Sequence, residues 1–251
     1  LGRTPGDWDI CTSARPEEMR RLFADHQLIL TGEKHGTVAV VLHGKPYEMT
    51  TYRLDGNYHD HRHPDVVQFV DDLPRDLARR DFTINAMAYN EKEGLVDPFG
   101  GQADLQSGIV RAVGVPRQRF TEDALRILRL YRFAARFGFA IDPPTAQAAQ
   151  ELCAHLDCVS VERIEEELAK LLSAPAPAAY LDKKILLVIL PELSSEALAA
   201  AKPVVDACPA GAENLPIRLA ALLLSLGEDG IRRTLKRLRC SNACIEETAV
   251  L

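Results

Sequence analysis

Along the first half of the chain, apolar positions come in short alternating runs broken by turn residues. Thr37–Leu42 and Tyr47–Arg53, flanking His43-Gly44-Lys45-Pro46, read as a β-hairpin, and Val66–Val70 reads as a further strand. Helical spacing interrupts them at Pro16–Asp25 and Ile84–Tyr89. From residue 118 the period becomes helical. On Asp123–Phe137, Ile127, Leu128, Leu130, Tyr131, Ala134 and Phe137 fall on one side, while Arg126, Arg129, Arg132 and Arg136 share the other with Leu125 and Phe133. Pro143–His155 and Ser160–Leu172 read as two more helices, the second with Ser160 as N-cap. Residues 173–177 (Ser-Ala-Pro-Ala-Pro) read as a linker, and a helical segment runs from Tyr180 to the end with a break over Pro203–Pro216. The fold class is therefore α+β, with a small mixed or antiparallel sheet first and an all-α part after it. We expect a head over residues 1–117, a helical neck over 118–174 and a helical body over 175–251.

Composition adds bounds. The 251 residues are 47% hydrophobic, enough for a substantial core, and no run of 18 apolar residues suggests a membrane span. The chain opens on Leu1, so we expect the natural N-terminus to lie upstream. Six scattered cysteines without CxxC spacing read as reduced thiols of a cytoplasmic protein. The net charge of −6 argues weakly against a nucleic-acid partner, but phosphate contacts need only a local basic stripe. One stripe holds Arg117, Arg119, Arg126, Arg129, Arg132 and Arg136. Another holds Arg232, Arg233, Lys236, Arg237 and Arg239 with no acid between them.

Three segments carry candidate chemistry. Asp7 and Asp9, at i and i+2, would share one face of a strand about 7 Å apart, a spacing suited to a pair of divalent cations. Glu48, alternating with Thr50 and Tyr52 on the hairpin's second strand, is a candidate third carboxylate. Arg79-Arg80-Asp81-Phe82-Thr83-Ile84-Asn85 gathers hydrogen-bond donors where a helix is expected to start, as phosphate binding requires. His59, His61 and His63 alternate, but no thiol or second cluster completes a zinc site.

The segments DWDICT, HGTVAVVL, EMTTYR, RRDFTINAMAY, DPFGG, RFTEDALRILRLYRFAARF and SVERIEEEL resemble, in order and spacing, the class II tRNA nucleotidyltransferases and bacterial poly(A) polymerases of the DNA polymerase β superfamily. The resemblance covers about residues 1–175 strongly. It implies a polymerase-β-like nucleotidyltransferase head and transfer of nucleotides from CTP and ATP to the tRNA 3′ acceptor end, with two Mg²⁺ ions. It implies that Asp7 and Asp9 hold metal, with Glu48 as third catalytic carboxylate. Arg80, Asp81 and Asn85 would handle ribose and phosphates, and Glu122, Asp123 and Arg126 would select the base. Arg129 and Arg132 are counted with the nucleotide-binding set; Arg136, Arg232, Arg233 and Lys236 are counted as RNA contacts. Ser160, Glu162, Arg163 and Glu167 would brace the base-reading helix. The stretch Asp55–Pro64 resembles the loop whose presence goes with adenosine addition. The Gly-Gly-x-Val-Arg-Asp segment of the family is represented only by Leu1-Gly2, the His-Asp phosphohydrolase dyad is absent, and the C-terminal tail is expected beyond Leu251.

Base choice also has a physical rationale. Asp123 and Arg126, at i and i+3 of a helix, would be neighbours. An aspartate only accepts hydrogen bonds and an arginine only donates, which matches the amino donor and ring-nitrogen acceptor shared by cytosine and adenine. Uracil and guanine present the opposite pattern. The expected activity is thus CCA addition without a template. An enzyme adding only A, or a poly(A) polymerase, is the alternative within this chemistry. A non-catalytic RNA-binding relative is the alternative outside it, against which the acidic pair counts.

Overall fold

His43 and Gly44 turn the first hairpin with φ of 50° and 77°, a two-residue loop in which both positions are left-handed. The turn is therefore tighter than the four residues expected, and Lys45 already pairs with Leu42. Pro46 belongs to the strand opposite Val41. It is tolerated because the neighbouring strand on its other side begins only at the level of Met49, so no ladder bond is lost there. The computed structural model describes residues 8–56 and 67–251. Within them, β1 (Ile10–Thr12), β2 (Gln27–Ile29), β3 (Thr37–Leu42) and β4 (Lys45–Thr51) form a mixed sheet in the order β1-β4-β3-β2. β1 runs parallel to β4, and the other neighbours are antiparallel. Helix α1 (Pro16–Leu22) covers one face, burying Met19 against Val38, Val40 and Met49. The opposite face carries Thr37, Ala39, Glu48 and Thr50, as the two-residue period of a strand demands.

Arg53 does not continue β4 but opens β5 (Arg53–Asp55), paired with β6 (Val67–Phe69). After α2 (Leu73–Ala78), a single 3₁₀ turn over Thr83–Asn85 leads into β7 (Ala88–Asn90), which pairs with β8 (Gly94–Val96). The helix expected over Ile84–Tyr89 is thus a turn followed by a strand. So short a helix has little to sustain it, whereas β7 gains a partner because the Asn90 side chain accepts from the backbone of Lys92 and Glu93 and closes the hairpin. Then come α3 (Gly101–Ser107) and β9 (Ile109–Val110).

The remainder is helical: α4 (Pro116–Glu122), α5 (Leu125–Phe137), a two-residue β10 (Ala140–Ile141) beside β9, α6 (Pro143–Leu152) and α7 (Val161–Leu172). There follow α8 (Lys183–Ile189), α9 (Ser195–Ala207), α10 (Leu215–Leu223), α11 (Gly227–Arg237) and α12 (Asn242–Ala249). One apolar core runs from Phe82 and Val110 through α5 to Ile245 and Ala249. Two expectations need correction here. α9 passes through Pro203, which is solvent-exposed, so water satisfies the carbonyl it leaves unpaired, and the break falls after Ala207. The linker at residues 173–177 is not loose: buried Arg218 donates to the carbonyls of Leu172, Ala174 and Cys208 and ties it to α10. Among the described residues no helix is long and apolar enough to cross a membrane.

The Gly100-Gly101 pair of the DPFGG segment has two separate causes. Gly100 has φ of 72°. A Cβ on Gly101 would lie 2.1 Å from the Thr83 carbonyl oxygen, so α3 packs directly onto the turn that carries Asn85. Gly101→Ala is expected to cost about 1–3 kcal/mol by overpacking, measured as a lower denaturant midpoint. An unchanged midpoint would mean that the turn yields without cost.

Candidate active site

The uncovered face of the mixed sheet forms one wall of a cleft of about 880 Å³. Thr37 and Thr50 lie there with their hydroxyls 3.0 Å apart, beside Cys11. Asp9 lies at the same wall, just before β1, and is exposed. The register pairs Ile10 with Met49, so Asp9 and Glu48, one step back on each strand, fall level on the same face as Cys11 and Thr50. Glu48 is exposed and does not line the cleft itself. Asp7 lies outside the described residues, as do His59, His61, His63 and most of the Asp55–Pro64 loop. Among the described residues no group of three or more His, Cys, Asp or Glu is gathered to hold a metal ion. The carboxylates of Asp9 and Glu48 nevertheless supply the hard oxygen donors that a small divalent cation takes.

The second wall is built on Asp81. Its carboxylate is buried and accepts from the Phe82 backbone N–H at 2.8 Å, from Asn85 Nδ2 at 3.0 Å and from Arg129 Nε at 2.8 Å. Burial alone would push its pKa up. The Arg129 charge and these hydrogen bonds outweigh it and hold the carboxyl below the usual aspartate range. Arg129 is raised in turn: burial lowers it, and the Asp81 charge and hydrogen bond, with the charges of Glu167 and Asp123, together outweigh that. Arg79 and Arg80 line the cleft and are held from behind by buried Asp76. Arg79 Nη2 lies 2.8 Å from Asp76 Oδ1, and Arg80 Nη2 lies 3.7 Å from Oδ2. Arg80, Asp81 and Asn85 are thus brought together, but the Asp81 carboxylate is engaged in holding Asn85 and Arg129.

The third wall departs from the helix expected over Asp123–Phe137. Asp123 has φ −145° and ψ 104°, extended backbone that ends α4, and α5 begins only at Leu125. Asp123 and Arg126 both line the cleft, yet they do not pair with each other through their side chains. Asp123 Oδ1 accepts from the Leu125 N–H at 3.1 Å, and Oδ2 accepts from Arg163 Nη2 at 2.8 Å. Arg126 donates through Nη1 to Glu122 Oε2 at 2.7 Å and to the Arg119 carbonyl at 3.1 Å, and through Nη2 to the Arg79 carbonyl at 3.0 Å. By capacity, Arg126 Nε–H and one Nη2–H remain for a ligand, as do lone pairs on both Asp123 oxygens.

The basic stripes divide. Arg132 is buried, paired with Glu167 and lying over the Phe133 ring at 3.8 Å, so it does not reach the cleft. Arg136 is exposed. On α11, Arg232 is spent on Glu228 and Glu246, and Arg237 on Glu192; Arg239, just beyond, pairs with Glu162. Arg233 and Lys236 stay exposed and form no salt bridge among the described residues. Glu167 holds α5 through Arg132, and Arg163 holds the α4–α5 junction through Asp123 and also lines the cleft. Three contributors are not evident from the sequence: Arg53 and Arg163 as cleft residues, and Asp76 as the anchor of the paired arginines. The i,i+3 spacing of Asp76 and Arg79 is the one available signal.

A small mixed sheet with an acidic edge, facing a helical neck across a polar cleft, defines a polymerase-β-like nucleotidyltransferase head carried on helices. Residues 1–111 match the family described as "Poly A polymerase head domain", and residues 138–196 match "Probable RNA and SrmB- binding site of polymerase A". The CCA-adding enzyme of Geobacillus kaustophilus (strain HTA426) is 48% identical over 181 residues, covering 72% of this chain and 44% of its own length. That of Limosilactobacillus reuteri (strain DSM 20016) is 43% identical over 218 residues, covering 87% and 50%. The crystal structure of the Bacillus stearothermophilus CCA-adding enzyme in complex with CTP matches with a TM-score of 0.83 at 37% identity, over 99% of this chain and 61% of that one. The chain belongs to the family of CCA-adding enzymes and bacterial poly(A) polymerases. It spans about half the length of the curated relatives it matches.

The Asp81 arrangement carries a pH signature. Its folded pKa lies below the unfolded value of about 3.9. Between the two values the unfolded chain binds more protons, so stability rises with pH there. The contribution is complete above about pH 4 and is lost as pH falls through the folded value. Asp81→Asn is therefore expected to flatten the acid limb of a stability-versus-pH curve measured by denaturant unfolding. A limb of unchanged steepness would show that Asp81 does not carry it.

Proposed function

We propose that this chain is the catalytic part of a tRNA nucleotidyltransferase that adds C and A to the tRNA 3′ end from CTP and ATP, releasing pyrophosphate. The observation that carries the proposal is the single cleft between the Asp9 edge of the sheet and the Asp123–Arg126 junction. Its volume of about 880 Å³ suits a nucleoside triphosphate and the end of an RNA strand. In this reading residues 1–117 are the head, 118–174 the neck and 175–251 the body. The likeness to relatives named CCA-adding enzymes supports full CCA addition over adenosine-only or poly(A) synthesis.

Asp7 and Asp9 would hold two Mg²⁺ ions, with Glu48 level with Asp9 as the third carboxylate; when bound, the ions favour the deprotonated 3′-hydroxyl and neutralise charge on the leaving pyrophosphate. Binding and orientation fall to the other side chains of the cleft. Arg79 and Arg80, fixed by Asp76, meet the triphosphate, and Asn85, fixed by Asp81, is placed for the ribose. Asp123 accepts from the amino group of cytosine or adenine, and Arg126 donates to the adjacent ring nitrogen. Both are held in place by Arg163, Glu122 and backbone carbonyls, so little side-chain entropy is lost when a base arrives. Exposed Arg136, Arg233 and Lys236 would contact RNA phosphates, with the saturated Arg232 contributing less. Arg132 is withdrawn from the nucleotide-binding set, since its guanidinium is buried. The six cysteines are free thiols, which suits a reducing cytoplasmic setting.

The test supplies tRNAs ending before CCA, at C and at CC, with CTP or ATP given singly and Mg²⁺ present. Sequential C, C and A addition is expected. Extension only from CC would reassign the chain to A addition, unlimited A growth to poly(A) synthesis, and no incorporation would remove the catalytic reading. Asp9→Ala should lower turnover by at least 10³-fold, an order-of-magnitude expectation for losing a metal-holding carboxylate, while tRNA binding by filter retention persists. Arg126→Ala should raise UTP incorporation relative to CTP by about 10–100-fold; unchanged discrimination in single-turnover assays would rule out base reading by this arginine.

A further inference from the structure

The Asp-x-Asp segment draws attention to its acids, yet the residue between them is the only tryptophan of the chain. Trp8 is 64% exposed and lines the cleft. Tyr89 is 73% exposed and lines the same cleft, whereas Tyr47, Tyr52, Tyr131 and Tyr180 are half-buried or buried. β7 explains how Tyr89 comes to face outward. Its neighbour Ala88 packs with Val96 against Leu77, Ala86 and Val113, so alternation turns Tyr89 and the paired Leu95 away from the core. The hairpin needs no aromatic ring at this position for its own packing. Two large, mostly exposed aromatic rings lining one polar cleft among arginines are the composition with which proteins bind single-stranded nucleic acid.

We propose that Trp8 and Tyr89 form a stacking platform for the 3′-terminal base of the RNA being extended. The inference rests on the proposed function and names where the acceptor strand, as opposed to the incoming nucleotide, is held. The incoming base is assigned to the Asp123–Arg126 wall. The attacking hydroxyl must instead come to the Asp9 edge, and Trp8 is the chain neighbour of Asp9. The terminal nucleotide, whose ribose carries this hydroxyl, is therefore brought beside Trp8, with its base within reach of that ring. Stacking also suits a growing strand. The terminal base changes as the strand grows, and an aromatic face tolerates each base because every base has a π-face. A hydrogen-bonding pocket would have to be rebuilt at each step. Trp8 and Tyr89 are positioning residues in this scheme and take no part in bond making.

The single tryptophan makes the platform directly observable. The intact chain is titrated, in buffer with chelator and no divalent cation, with a minihelix RNA ending in CC and separately with CTP, while tryptophan emission is followed. Saturable quenching by the RNA and none by CTP alone are expected. Tyr89→Ala should weaken the RNA half-saturation point and raise the RNA KM in the Mg²⁺ reaction, each about tenfold. Tyr89→Phe should restore both, and the KM for CTP should stay the same throughout. Emission unaffected by RNA, quenching by CTP alone, or equal RNA affinity of Tyr89→Ala and the parent chain would each overturn the platform while leaving nucleotide transfer intact. A parent chain that incorporates no nucleotide would overturn the proposed function instead, and with it the identity of the stacked base as a primer end.

Discussion

The buried contact between Asp81 and Arg129 is the constraint around which the cleft is organised. A carboxylate this deeply placed is costly unless it is fully satisfied, and its partners come from the backbone of Phe82, the side chain of Asn85 and a helix 48 residues further along. Each partner is thereby fixed with respect to the others. The turn that presents Asn85 cannot shift without uncovering Asp81, and α5 cannot rotate without withdrawing Arg129. The edge-to-face packing of Phe82 on Phe133, with centroids 5.8 Å apart, adds an apolar lock between the same two elements. The sheet-bearing half and the helical half of the molecule are therefore held in one geometry across the space a nucleotide would fill.

The break at Asp123 serves the same end by opposite means. Had α4 and α5 been one helix, Asp123 and Arg126 would be neighbours on its surface and would satisfy each other. Extended backbone at Asp123 sends its carboxylate to Arg163, while Arg126 turns to Glu122 and to the carbonyls of Arg119 and Arg79. Each group keeps unused hydrogen-bonding capacity toward the cleft. An acceptor and a donor that would have cancelled in an ion pair remain available side by side.

Much of this is legible in the chain. The mixed sheet, the helical second half and the segments around Arg80, Asp81, Asn85, Asp123 and Arg126 all follow from alternation, helical period and motif order. What escapes is of a different kind. Arg53 meets the site because its backbone N–H donates to Asp76, and Arg163 because it reaches Asp123 from 40 residues away. Such pairings depend on tertiary approach and leave no periodic trace. Arg132 shows the converse error: on a helical wheel it shares the polar face with Arg126 and Arg129, but Glu167 and the Phe133 ring turn that face into an interior one. Periodicity likewise fails at Ile84–Tyr89, where a side-chain cap from Asn90 decides for a hairpin.

That most of the arginines on and around α5 and α11 are already paired with carboxylates of the same chain has an electrostatic consequence. Only cations outside internal salt bridges, such as Arg233 and Lys236 among the described residues, displace counterions when a polyanion binds. In the proposed function the acidic overall charge is compatible with an RNA substrate, because cations engaged within the fold organise the interior, and the few left over on these helices would give association only a gentle dependence on ionic strength.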